Sequence, residues 1–152
     1  MKQKSRNDNR IIGTMLSEVF FPNFSYILKN CGYDFFIIDC EHGAFDYSQV
    51  STMISVARLK GISAVVRIPE IRRECILKYL DMGADALLAP MVRDAEDAKR
   101  LVEYAKYRPL GNRGISINRA HSIAQQVKND IEYFNSLSAS AQTYINGILG
   151  LN

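Results

Sequence analysis

The stretch Phe35-Phe-Ile-Ile-Asp-Cys-Glu-His-Gly43 joins a run of apolar residues directly to a polar cluster. An uninterrupted apolar run of this length is typical of a strand buried on both faces, as in a parallel sheet. The pattern recurs further along the chain, where Val65 and Val66 lead into Arg67. In α/β proteins, ligands bind at the carboxyl ends of such strands. The carboxylate–imidazole cluster and the guanidinium therefore indicate a functional site.

Each predicted strand is followed by a helical pattern of apolar residues. Asp46, for example, is placed to cap a helix that Gly61 would end. We predict strands at residues 11–15, 34–39, 63–68 and 85–90, with helices beginning near Pro22, Asp46 and Asp94 and a further helix between strands three and four. The alternation of strand and helix predicts an α/β fold with a parallel sheet.

Apolar residues at helical spacing predict which side of each helix faces the core. The predicted inward residues are Phe24, Ile27, Leu28 and Cys31 in the first helix, Val50, Met53, Ile54 and Ala57 in the second, Ile76, Leu77 and Leu80 in the third, and Ala98, Leu101, Val102 and Ala105 in the fourth. The three cysteines, Cys31, Cys40 and Cys75, lack the spacing of a metal site. We therefore expect buried free thiols in a reducing cytoplasm.

Chain length suggests that the predicted sheet is part of a barrel. Candidate site residues end strands two and three, and a proline ends strand four, as when barrel enzymes assemble a site from several strand ends. A (β/α)₈ barrel typically needs about 250 residues, whereas this chain has 152. We predict a partial TIM barrel of about four to five βα units at residues 11–135, after a flexible segment at 1–10 and before a Ser/Ala-rich tail at 136–152 that does not belong to the barrel domain.

Composition narrows the classes of function. Apolar residues make up 47% and charged residues 23% of the chain, which is ordinary for a globular protein. The formal net charge of +3 comes from dispersed basic residues, so we expect no nucleic-acid partner. No apolar run approaches a membrane span, and the amino-terminal stretch lacks the apolar segment of a secretory signal. These features predict a cytoplasmic protein without a membrane partner.

Six short elements stand out along the chain: Gly13, Gly32-Tyr-Asp34, Ile38-Asp-Cys-Glu-His-Gly43, Val65-Val-Arg-Ile-Pro69, Leu80-Asp-Met-Gly-Ala84 and Arg108-Pro-Leu-Gly-Asn-Arg-Gly114. In order and spacing they resemble the HpcH/HpaI aldolases, which are class II, metal-dependent pyruvate aldolases on a (β/α)₈ barrel. The resemblance runs from about residue 11 to residue 135 and implies a carbon–carbon lyase. Its substrate would be a 4-hydroxy-2-oxo acid or a 2-keto-3-deoxy sugar acid, cleaved through an enolate to pyruvate, or a close relative, and an aldehyde.

The resemblance also implies roles for three residues. His42 would act as the acid/base through water, Arg67 would neutralise charge on the enolate and alkoxide oxygens, and Asp81 would pair with the imidazole and raise its basicity. The residue types suit this chemistry, because a guanidinium stays charged and bonds two oxygens at once. A histidine has an ordinary pKa of about 6.5, near working pH. We interpret Asp39 and Glu41 as hydrogen-bond acceptors that stabilise the loop.

A divalent metal, Mg²⁺ or Mn²⁺, is expected from the resemblance. Its ligands, a Glu and an Asp, would come from strands after a segment like Tyr133-Phe-Asn135. Residues 136–152 contain neither carboxylate, so we expect a chain that is truncated at its C-terminus and lacks the metal ligands. The alternatives are an inactive fragment of such an aldolase and a non-catalytic module that binds oxo acids or a second chain. Because half a barrel leaves an edge strand unpaired, we also expect a homo-oligomer.

Overall fold

The computed structural model of the protein describes residues 10–115 and 120–149. The predicted flexible segment at 1–10 therefore lies, except for Arg10, outside the described residues. The chain divides into two compact units. The first unit comprises Met1–Glu70 and Lys78–Pro90, and the second comprises Ile71–Leu77 and Met91–Asn152.

A four-stranded parallel sheet lies in the first unit. Its strands follow chain order: β1 Gly13–Leu16, β2 Phe35–Asp39, β3 Ser63–Arg67 and β4 Ala86–Leu88. The predicted parallel α/β sheet is thereby confirmed. Phe36 and Ile38 on β2 and Val66 on β3 are fully buried, as expected for strands covered on both faces. The pairing register sets Asp39 opposite Arg67.

Helix α2, Tyr47–Lys60, follows β2 as predicted. The Asp46 carboxylate accepts a hydrogen bond from the Gln49 amide, and the Gln49 side chain accepts one from the Asp46 amide, which forms a capping box. Gly61 ends the helix in the left-handed conformation, with φ 65°. All of the predicted inward residues are buried, each at most 1% exposed: Val50, Met53, Ile54 and Ala57.

The predicted apolar face of helix α1, Phe24–Asn30, is wrong in part, although Leu28 is buried as predicted. Ile27 is 44% exposed, and the residues that are buried are Ser25 and Leu28. Cys31 is the C-cap residue and is exposed, which contradicts the prediction of a buried thiol. A helix of seven residues makes only two turns, so the way the chain enters it decides which side is covered, and spacing alone cannot.

The third helix, α3, spans Arg73–Met82. Ile76 is fully buried as predicted, whereas Leu77 and Leu80 are only partly buried. Tyr79, which the apolar pattern did not select, is 4% exposed. Gly83 follows with φ 96°, a conformation that ends a helix and favours glycine.

The second unit contains α4 Ala95–Ala105, α5 Ala120–Ser136 and α6 Ala139–Leu149. Asp94 caps α4 as predicted, accepting a hydrogen bond of 2.8 Å from the Asp97 amide. The predicted inward face of α4 is wrong in part, because Ala98 is exposed and Val102 is 48% exposed. The fully buried residue is Asp97, which is covered because its carboxylate is held by neighbouring guanidinium groups.

Two further contacts shape this unit. The carboxylate of Asp130 on α5 accepts hydrogen bonds from Lys106 Nζ at 2.8 Å and from the Tyr107 amide at 3.0 Å. These bonds join α5 to the end of α4. The guanidinium of Arg113, which is 8% exposed, stacks over the Tyr107 ring at 4.8 Å from its centroid. Across the described part of the chain, no helix is both long and apolar enough to cross a membrane.

Candidate functional site

The parallel register brings a carboxylate and a guanidinium together at the ends of β2 and β3. Arg67 Nε donates to Asp39 Oδ1 at 2.8 Å, and Arg67 Nη2 donates to Asp39 Oδ2 at 2.6 Å. This is a side-on bidentate ion pair, which fixes the plane of the guanidinium as well as its position. The Cys40 amide, just past Asp39, donates to the Arg67 carbonyl at 2.9 Å.

Asp39 is the central acceptor of the site. Besides Arg67, its carboxylate accepts from the Glu41 amide at 3.0 Å, the His42 amide at 3.2 Å and the Ser17 hydroxyl at 3.3 Å. The residue is 1% exposed. Burial alone would raise the pKa of Asp39, but the hydrogen bond from Arg67, followed by those from the loop amides, holds this pKa well below its usual value.

Glu41 lies between Arg67 and His42. Its Oε2 is 3.2 Å from Arg67 Nη1, and its Oε1 is 3.8 Å from His42 Nε2. The Glu41 side chain is 19% exposed, whereas the His42 side chain is 73% exposed. The structure thus gathers His42 and Arg67 around one carboxylate, on the same side of the strand ends. The Glu41 carboxylate contacts both of these side chains. The sequence had predicted only that Glu41 accepts hydrogen bonds that stabilise the loop.

Gly43 is required by the turn that carries His42. A Cβ atom at this position would overlap the carbonyl oxygens of Asp39 and Ser17. The next amide, that of Ala44, donates to the Ser17 carbonyl at 3.2 Å. The turn therefore folds tightly against the end of β1, and only a glycine fits there without a shift of the backbone.

Asp81 lies near the end of α3 and is partly buried. The contact that the structure gives for the His42 imidazole is with Glu41, at 3.8 Å from Nε2 to Oε1. The pairing of Asp81 with the imidazole, and the catalytic roles of His42 and Arg67, stay predictions.

Sequence reasoning missed two residues of this region. Ser17 touches the central carboxylate, and its position directly after β1 was the available signal. Burial raises the pKa of the Cys40 thiol, and a hydrogen bond with the Tyr79 side chain partly offsets this increase. The Tyr79 ring also packs against the Tyr47 ring at a centroid distance of 5.2 Å. Cys40 is therefore a partly buried thiol with a hydroxyl neighbour.

The cluster does not fit a divalent metal on its own. Asp39 Oδ1 accepts from three donors and Oδ2 from two, which fills the roughly four lone-pair sites of a carboxylate. Glu41 is engaged by Arg67. Among the residues that the structure describes, no group of three or more His, Cys, Asp or Glu side chains is placed to hold a metal ion.

Comparison with known proteins agrees with the fold. The chain matches a solved structure of an HpcH/HpaI aldolase from Desulfitobacterium hafniense with a TM-score of 0.72 and 35% identity. The match covers 80% of this chain and 50% of that one. Neighbours of this kind are TIM-barrel proteins of which the chain covers only part, so the predicted partial barrel is confirmed.

Curated relatives give the same picture. The chain is 40% identical over 93 residues to a hydroxypyruvate/pyruvate aldolase of Roseovarius nubinhibens, a match covering 61% of this chain and 36% of the relative. It is 31% identical over 121 residues to a 2-keto-3-deoxy-L-rhamnonate aldolase of Salmonella gallinarum, covering 80% and 45% respectively. The chain thus spans less than half the length of these curated relatives. The sequence model of one family matches residues 18–144, and the chain belongs to that family, HpcH/HpaI aldolase/citrate lyase.

Proposed function

We propose that this chain carries the part of an aldolase site that binds a 2-oxo acid and stabilises its enolate. The reaction is cleavage of a 4-hydroxy-2-oxo acid or a 2-keto-3-deoxy sugar acid to pyruvate, or a close relative, and an aldehyde. The observation that carries the proposal is the Arg67 guanidinium, fixed by Asp39 at a strand end and 22% exposed. Relatives named as a hydroxypyruvate/pyruvate aldolase and a 4-hydroxy-2-oxovalerate aldolase support the substrate class.

Arg67 retains donors for a ligand. A guanidinium has five N–H groups, of which two bond Asp39 and one faces Glu41. When the bond between C3 and C4 breaks, its electron pair moves to the C2 oxygen, which becomes an enolate oxygen. The remaining N–H groups of Arg67 would hold that oxygen without reorganising, because Asp39 already fixes the guanidinium.

His42 would handle the protons. Its exposed imidazole would take the proton of the C4 hydroxyl through a water molecule and return a proton to C3 of the enolate. Asp81 would serve as the partner that raises the basicity of the imidazole.

A divalent Mg²⁺ or Mn²⁺ ion would act as a Lewis acid on the oxo acid. The described residues do not form the ligand set of this ion. We further propose a cytoplasmic homo-oligomer.

Proton exchange at C3 of pyruvate tests the catalytic proposal. In D₂O with Mg²⁺ or Mn²⁺, the wild-type chain should exchange the methyl protons of pyruvate for deuterium. The exchange is measured as the loss of the pyruvate methyl signal in ¹H NMR. Arg67→Lys keeps the charge but not the bidentate geometry, and should slow exchange about a hundredfold. Arg93→Lys, at an arginine that is 72% exposed, is the matched control and should exchange at the wild-type rate. No exchange by wild-type chain at high concentration would exclude catalysis by this polypeptide.

A second candidate is a non-catalytic module that binds oxo acids. It is favoured by the cluster itself, in which Asp39 and Glu41 both face Arg67 while the guanidinium keeps further N–H groups for an anion. Binding of pyruvate without proton exchange would select this candidate over the enzyme.

A further inference from the structure

The charges at the site do not balance. Two carboxylates, those of Asp39 and Glu41, face the single guanidinium of Arg67. Asp39 and Glu41 contribute two negative charges and Arg67 one positive charge, so these three residues carry one negative charge in excess. An oxo acid is itself an anion, so the cluster as it stands opposes the ligand that Arg67 is proposed to bind.

The two carboxylates are held very differently. The Asp39 side chain is 2% exposed and accepts from the amides of the loop as well as from Arg67. Separating it from Arg67 would leave a buried charge without its counter-ion. The Glu41 side chain is 19% exposed, and its carboxylate contacts Arg67 Nη1 at 3.2 Å and His42 Nε2 at 3.8 Å. Glu41 is therefore the carboxylate that can move.

Glu41 occupies the nitrogen that Asp39 leaves open. Asp39 takes Nε and Nη2 of Arg67, and Glu41 faces Nη1 at 3.2 Å. A planar anion that binds the end of the guanidinium through Nη1 and Nη2 needs the position in which the Glu41 oxygen lies. The other oxygen of Glu41 is 3.8 Å from His42 Nε2, so a short movement away from Arg67 brings the carboxylate onto the imidazole.

We propose that Glu41 is an internal counter-ion that occupies Arg67 in the absence of ligand and moves onto His42 when a small oxo-acid anion binds. Glu41 is then a positioning residue, since it acts through Arg67 and His42. It also favours anions with two oxygens in one plane, because a single-point anion gains too little from Arg67 to displace it. The nature of the ligand rests on the proposed function, whereas the competition at Arg67 rests on the ion-pair geometry.

Oxalate, a planar dianion, is a suitable probe of this competition in the chain of 152 residues without added metal. Its dissociation constant is measured by calorimetry, and the amide signals of Glu41 and His42 are followed by NMR in the same titration. Glu41→Gln removes the competing charge and should bind oxalate about tenfold more tightly. Glu96→Gln is the matched control, because Glu96 is 64% exposed and pairs with Lys99 at 3.7 Å on α4; its affinity should equal that of wild type.

Unchanged or weaker oxalate binding by Glu41→Gln would overturn the proposal. Thermal unfolding shows whether that variant is folded. If it is not, Glu41→Asp provides the test, because its shorter side chain keeps the charge but reaches Nη1 less well; it should bind oxalate more tightly than wild type, by a smaller factor. Failure of the proton-exchange test together with the expected oxalate result would refute the catalytic proposal and leave the counter-ion role standing. No oxalate binding by any folded variant would refute the counter-ion role.

Discussion

The guanidinium of Arg67 lies side-on against the carboxylate of Asp39, and the two residues are partners in the register of β2 and β3. The ion pair is thus part of the sheet itself. Its position at the strand ends follows directly from two neighbouring strands that both end in a charged residue.

Replacing Asp39 with Asn should destabilise the fold and the site together. The amide cannot accept from both Arg67 nitrogens, and one of its two ends becomes a donor facing the loop amides. We expect a loss of about 2 kcal/mol in the free energy of unfolding, measured in urea. Asp46→Asn is the control, because asparagine also caps helices and should leave stability within about 0.5 kcal/mol of wild type. Equal effects of the two substitutions would contradict a central role for Asp39.

The contribution of Asp97 to stability should depend on pH. Hydrogen bonds from Arg93, first from its side chain and then from its amide, together with one from Arg100, lower the pKa of Asp97 from 3.8 to about 2. A lowered pKa in the folded state means that the unfolded chain binds more protons in this range, so stability falls as the pH decreases from about 4 to about 2. Asp97→Asn should show a shallower decrease over that window, measured by thermal unfolding at a series of pH values. An unchanged slope would contradict the assignment.

Substitution of Gly43 should damage the site more than substitution of a glycine elsewhere. In Gly43→Ala, the new Cβ meets two backbone carbonyl oxygens, so the turn carrying His42 must shift. We expect a loss of about 2 to 3 kcal/mol and weaker oxalate binding. Gly61→Ala is the control, because its Cβ meets nothing within 4 Å and only the left-handed φ of 65° is unfavourable. It should lose about 1 kcal/mol and bind oxalate as wild type does.

Self-association through the sheet edges should depend on concentration. Strands β1 and β4 each have one strand neighbour in the sheet, and Leu88 on β4 is 41% exposed. Leu88→Lys places a charge on the edge and should weaken association, measured by sedimentation at increasing concentration. Leu59→Lys, at a helix position that is 83% exposed, should associate as wild type does. Monomeric wild-type chain at high concentration would contradict the expectation.

The sequence predicted the buried face of α2 closely and that of α1 only in part, for a physical reason. In α2, the capping box and a terminal glycine fix both ends, and four turns of apolar spacing leave one side to bury. In α1, two turns of mixed residues leave the choice to the surrounding chain, and Ile27 is on the exposed side. Spacing shows which residues share a face, but the neighbours decide whether that face is covered.

For the candidate site, the sequence predicted where residues lie along the strands but not all of their contacts. The strand-end positions of His42 and Arg67 could be read from apolar runs followed by charge. The contact of Glu41 with Arg67 could not, because it depends on the direction of a flexible side chain across two strands. Ser17 was missed because a single hydroxyl after a short strand carries little signal.

The pairing of Asp39 with Arg67 also bears on how the sheet assembles. If β3 slid by one residue along β2, the aliphatic side chain of Val66 or Ile68 would stand opposite the aspartate, and a carboxylate would be shut into an apolar interior without its cation. Misaligned strands would therefore cost free energy once the helices pack on them. The same two side chains that shape the ligand site would thus also favour the correct register of β2 and β3.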